Sequence, residues 1–143
     1  AEGLPTHIEL KTLGEEWQVR FEHDPNARPR CRAADGVVAV RTREANHRGA
    51  APLLREWLLD KADYHLVPWL LRESATLPRR PANVQVRLQR TRWGSCSSND
   101  TVSLNAALLF VEPAVVRYLF IHELCHMISL DHSRKFWTAV ARY

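Results

Sequence analysis

The run Ile121-His122-Glu123-Leu124-Cys125-His126 constrains this chain more than any other stretch, because it sets two imidazoles and a carboxylate in strongly apolar surroundings. Val115, Val116, Leu119, Phe120, Ile121, Leu124 and Ile128 occupy nearly every side of a helix that starts at Pro113 and runs to about Leu130, so this helix is expected to be buried at the centre of the fold. Polar groups left without partners there cost several kcal/mol, and ligation of a metal removes that cost. Residues four apart lie about one turn apart on the same side of a helix, so His122 and His126 can offer nitrogens to one ion at about 2.0 to 2.1 Å. Glu123 is rotated by about 100°, beside the ion and off the ligand axis, which suits a general base acting on a metal-bound water.

A catalytic zinc site takes three protein ligands and keeps one position open. His132 is the best third ligand, since the chain can turn after the helix and bring that ring back to the ion. The metzincin pattern does not fit, because Ser129 stands where its turn carries glycine and the only methionine, Met127, lies beside the motif rather than in a downstream turn. From Ser133 a final helix begins, capped by Asp131 or Ser133, with Phe136 and Trp137 packing to hold the turn that aims His132. Asp131 can alternatively orient a ligand from behind. The plain alternative is a chance motif whose histidines merely pack, and the third histidine and the apolar setting weigh against it.

At 143 residues and 45% hydrophobic content the chain suits one compact domain over residues 1–143. The formal charge of +4 is carried mainly by Arg, because Lys occurs only at Lys11, Lys61 and Lys135. That excess admits an anionic partner without requiring one. Cys31, Cys96 and Cys125 are odd in number and lack C-x-x-C spacing, so neither a disulfide framework nor an all-cysteine zinc site is expected. A cytoplasmic location fits best; no apolar run has the length of a membrane span, and nothing in the pattern sets an oligomeric state.

Short strands are expected first. His7-Ile8-Glu9-Leu10 and Trp17-Gln18-Val19-Arg20-Phe21 alternate around a turn at Gly14, and Arg30 to Ala33 joins Val37 to Val40 through Asp35-Gly36, a hairpin signal, giving an antiparallel sheet. His7, His23, His47 and His65 lack ligand spacing. From Asn46, a possible cap, the period becomes helical through Leu53, Leu54, Trp57 and Leu58 and resumes through Tyr64, Leu66, Trp69 and Leu70, with Pro68 marking either a kink or a division into a helical pair. Val84, Val86 and Leu88 then read as a half-buried strand, followed by a turn-rich Arg92 to Asp100 and a strand at Thr101 to Asn105. Arg79, Arg80, Arg87, Arg90 and Arg92 have no acidic residue among them; a solvated face is the favoured reading, and binding of nucleic acid or a nucleotide is the functional one. Gly94 lets another backbone or a substrate approach closely.

With Arg92-Trp93-Gly94-Ser95-Cys96, Ser103-Leu104-Asn105, Pro113, Tyr118, His122-Glu123-Leu124-Cys125-His126, His132-Ser133 and Phe136-Trp137 together, the chain resembles the YgjP-like family of zincin-type metallohydrolases, closely over Arg90 to Val140. The resemblance implies an α+β, zincin-like domain: N-terminal antiparallel strands, a helical pair, short strands, the H-E-x-x-H helix and a C-terminal helix. It implies Zn2+ on His122, His126 and His132 with Glu123 as base, and kinship with SprT-like proteases, some of which act on proteins attached to DNA. An edge strand above the active helix, near Trp93 to Cys96 or Thr101 to Asn105, would pair with an extended peptide, which makes Arg92, Trp93, Gly94 and Ser95 candidate substrate contacts.

The leading expectation is therefore a zinc-dependent metallopeptidase acting on peptide or protein substrates, with Tyr118 or Arg134 as candidate oxyanion donors. Because the family has also been linked to hydrolysis of nucleoside triphosphates such as UTP, a metal-dependent UTP pyrophosphatase using the arginines is the second reading; the lack of a glycine-rich phosphate loop counts against it. The third is a non-enzymatic nucleic-acid-binding module in which Cys96 closes a Cys/His zinc site.

Overall fold

Period-two alternation near the N-terminus produces four strands, β1 (His7–Leu10), β2 (Glu15–His23), β3 (Arg30–Ala34) and β4 (Val37–Thr42). They come from a computed structural model that describes residues 3–97, 99–127 and 140–141. Asp35 and Gly36, with φ of 52° and 79°, supply the two left-handed residues that a tight hairpin requires between β3 and β4. β1 pairs with β2 and β3 with β4 in antiparallel fashion, as alternation and turns predict.

The sheet order is β1-β2-β4-β3, and β2 runs parallel to β4, so the sheet is mixed rather than wholly antiparallel. The reason lies in side chains. Val38 and Val40 of β4 are fully buried, whereas β3 carries exposed Arg30 and Arg32; the apolar strand takes the inner position and the arginine-bearing strand the edge.

The expected helical pair is a single helix, α1 (Ala50–Ser74). Its buried stripe, Leu54, then Ala62, Leu66, Leu70 and Ser74, keeps four-residue spacing straight past Pro68. Pro68 and Tyr64 are both exposed, so the carbonyl that loses its helical partner to the proline lies on the solvent side. Gly49, with φ of 89°, stands at the N-cap, and Asn46 forms a turn before it by accepting from the Arg48 amide at 3.2 Å.

α1 packs against β3 and β4 of this sheet and against β5 of a second one. The second sheet has the order β5-β7-β6, from β5 (Asn83–Arg87), β6 (Gly94–Cys96) and β7 (Thr101–Asn105). A short 3-10 segment (Ala106–Phe110) then leads to α2 (Pro113–His126), with Pro113 in the first turn as expected. The Thr12 hydroxyl is shared between the Leu108 and Val111 carbonyls, tying the β1–β2 turn to the approach to α2.

α2 is less enclosed than its composition predicts. Val116, Phe120, Ile121, Leu124 and Cys125 are buried, but Val115 and Tyr118 remain 48% and 54% exposed, because β6, α1 and the Lys11–Leu13 turn pack on its other faces. Of the expected C-terminal helix only Val140 and Ala141 fall among the described residues, and both are helical. Among the described residues no helix is long and apolar enough to cross a membrane.

One polar cluster fastens β2 to α1. Lys61 Nζ lies 2.8 Å from Glu15 and 5.1 Å and 5.8 Å from the rings of Trp17 and Trp57, which meet edge to face at 5.4 Å. Burial alone would raise the Glu15 pKa, but hydrogen bonds from Lys61 and Trp17 and the Lys61 charge together hold it below its ordinary 4.5. The stabilisation Glu15 carries is thus full above that value and lost as pH falls through its lowered folded value. Lys61→Met is expected to cost about 0.5 to 1 kcal/mol at neutral pH after solvent screening. Denaturant titrations of both proteins from neutral to acid should show that gap closing in acid; a constant gap would contradict the Glu15 assignment.

Candidate active site

The last two turns of α2 bring His122 and His126 onto one side, their rings 4.9 Å apart and nearly perpendicular at 82°. Ligand atoms of His122, Glu123 and His126 all fall within 4.8 Å of one another. Glu123 is only 7% exposed, its Oε1 lies 3.5 Å from His122 Nδ1, and the two imidazoles are half-buried. Two imidazoles with an adjacent carboxylate suit a borderline-soft divalent ion such as zinc better than a hard, all-oxygen ion. The residues therefore fit a metal. His132, the expected third ligand, lies outside the described residues, as do Asp131, Ser133, Arg134, Phe136 and Trp137.

A cleft of about 340 Å³ opens onto this group, lined by Arg92, Gly94, Ser95, Cys96, Glu123 and His126. Three of the four candidate substrate contacts line it; Trp93 stands beside it, exposed. Among the described residues β6 is the edge strand on this side, whereas β7 is paired on both sides and has no edge to offer, so Thr101 to Asn105 drops out as a docking strand. A Cβ placed on Gly94 would lie 3.2 Å from Glu123 Cγ and 3.3 Å from the Ser103 carbonyl oxygen. Gly94 thus lets β6 lie close against the Glu123 side chain, which any larger residue would crowd. The approach that glycine permits here is to the chain's own glutamate.

Asn105, expected at the end of a strand, has a larger task in the structure. Buried at the end of β7, it donates through Nδ2 to the Gln89 and Arg92 carbonyls, both at 2.7 Å, and accepts at Oδ1 from the Ala107 amide at 2.9 Å. Its own amide donates to the Trp93 carbonyl at 2.9 Å. One side chain thereby fixes the loop that delivers Arg92 and Gly94. The sequence signals were an amide in an apolar strand and its place in the Ser103-Leu104-Asn105 run that the family resemblance includes.

The arginine run does not form a patch at the cleft. Arg79 donates to Asp100 Oδ2 and to the Met127 carbonyl, each at 2.8 Å, placing a cation at the C-terminal end of α2 where the helix dipole favours it. Arg87 donates to Gln85 at 2.8 Å, and of the five arginines Arg92 alone lines the cleft among the described residues. Cys96 lines the cleft but stands outside the His122, Glu123 and His126 cluster. Burial first, then the charges of Glu123 and Asp100, push its thiol up to about 11 despite Arg79. Burial also raises Cys125, whose side chain faces the core.

The description of a YgjP-like metallopeptidase domain matches residues 3–143, and the chain belongs to that family. The family implies a metal cofactor and peptide or protein substrates. No curated protein matches the chain. Among solved structures it is similar to the crystal structure of the metallopeptidase zymogen of Pyrococcus abyssi abylysin, with 29% identity and a TM-score of 0.42 over 61% of this chain and 76% of that one.

Gly94→Val should push the Glu123 side chain from its seat, lowering kcat by about tenfold or more while metal content holds. Peptide turnover and metal analysis of the purified variant check this, and unchanged kcat would show that the contact is dispensable.

Proposed function

We propose that the chain is a zinc-dependent peptidase in which His122, His126 and His132 hold the ion and Glu123 is the general base, within one zincin-like domain spanning residues 1–143. The observation that carries this reading is the buried Glu123, seated between two convergent imidazoles and the edge strand β6 at the floor of an open cleft. A zinc ion bound there would supply Lewis acidity, lowering the pKa of water toward neutrality and stabilising negative charge on a carbonyl oxygen.

The chain's own groups do the rest. An extended peptide can add to the open edge of β6 through backbone hydrogen bonds with Gly94 to Cys96, which lays its bond over Glu123. Glu123 takes a proton from the attacking water and returns it to the departing amine nitrogen. Enclosure by α2 and β6 keeps that carboxylate in one place, so the proton moves a short, fixed distance. Tyr118, one turn before His122 with its ring 6.2 Å from that imidazole, is a candidate oxyanion donor.

The arrangement supports the peptidase over its rivals. Among the described residues a nucleoside triphosphate would find one arginine in the cleft rather than a cluster, since Arg79 and Arg87 are engaged elsewhere. Among the described residues Cys96 lies outside the convergent group of His122, Glu123 and His126, which favours the open site over a closed Cys/His one.

Glu123→Gln is the deciding variant. Its kcat on a susceptible peptide should fall by about a hundredfold to ten-thousandfold with zinc still bound at full stoichiometry. Undiminished turnover would end the assignment of Glu123 as base.

A further inference from the structure

Among the described residues Arg92 is the one Lys or Arg lining the cleft, and its surroundings hold it there. Its carbonyl accepts from buried Asn105 at 2.7 Å, the next carbonyl accepts from the Asn105 amide at 2.9 Å, and Gln89 is bound by the same side chain. The backbone that carries Arg92 is therefore anchored on both flanks although the side chain is exposed. Among the described residues its guanidinium makes no ion pair, in contrast to Arg79 and Arg117. No acidic residue occurs between Arg79 and Arg92, and the next one, Asp100, is already bound to Arg79.

Position along the chain gives the cation a meaning. Gly94 lies against Glu123, and Arg92 precedes it by two residues across the bend at Trp93, no more than about 7 Å away along the chain. A peptide added to the β6 edge with its cleaved bond over Glu123 would bring a residue roughly two positions from that bond to Arg92. A planar guanidinium offers a carboxylate two parallel N–H donors, a geometry lysine does not reproduce.

Resting on the peptidase reading above, we infer that Arg92 is a specificity-determining residue which selects peptides carrying a carboxylate about two residues from the cleaved bond, as an acidic side chain or as a free C-terminus. The pair would form at the mouth of the cleft, partly in water, so its effect is moderate and weakens with salt. It acts on binding: the preference enters KM, while kcat stays with Glu123.

The test uses the full chain loaded with zinc and a set of peptides of one sequence, in which each position in turn is Asp, Asn or Lys and the C-terminus is either free or amidated. Wild type should cleave the best Asp peptide, or the free-acid peptide, about three- to tenfold better in kcat/KM than its neutral counterpart, through KM. Arg92→Ala should erase that ratio, Arg92→Lys should keep part of it, and Arg92→Glu should turn it toward the Lys peptide. The Asp series against the free-acid series tells which carboxylate is read. An acid preference that survives Arg92→Glu, or no preference in wild type, overturns the inference while leaving the peptidase standing. If wild type cuts no peptide but hydrolyses UTP in an Arg92-dependent way, the peptidase reading itself falls, and this inference with it.

Discussion

The contact between Gly94 and Glu123 is the one on which the candidate site depends. A carboxylate on a core-facing helix position would ordinarily be an expensive passenger, since burial penalises its charge. Here it is pressed between its own helix and an edge strand whose residue at that point has no side chain. A side chain there would have to displace the glutamate or the Ser103 carbonyl by a few tenths of an ångström, so the glycine lets the strand lie close, and both line the cleft.

Two polar ties hold that geometry from either end. Asn105 fastens the loop entering β6, using both amide hydrogens and its carbonyl oxygen, so its burial leaves little hydrogen-bonding capacity unspent. Arg79 fastens the turn leaving β6 to the end of α2, through Asp100 on one side and the Met127 carbonyl on the other. Strand and helix are thus joined beyond their apolar contact, and the half-buried histidines sit between the two ties. The first sheet is more remote: it supplies core to α1, and Lys61 with Glu15 and the two tryptophans secures that packing.

Local pattern was enough for much of this. The strand limits near His7, Trp17, Val37 and Thr101, the Asp35-Gly36 hairpin and the start of α2 at Pro113 follow from alternation, turn chemistry and proline at a helix start. Pro68 leaves one helix or two open in the sequence, because proline breaks a helix only when the lost hydrogen bond cannot be replaced, and which side of a helix meets water is a tertiary fact. The parallel pairing of β2 with β4 escaped for a related reason. Alternation gives a strand its two faces, but the choice of neighbour is set by which strand has most apolar surface to bury.

The sequence by itself determined the family and the chemical inventory: two imidazoles four residues apart with a carboxylate beside one of them, since helix periodicity alone places these on adjoining sides. Only the tertiary structure decided what covers that carboxylate, which arginine reaches the cleft, and which strand keeps an open edge. Gly94 and Glu123, Arg79 and Met127, and Arg92 and Asn105 lie 29, 48 and 13 residues apart, and such contacts arise from sheet order and helix placement. No local spacing encodes them, because the free energy that brings them together is released only when both sheets close on α1.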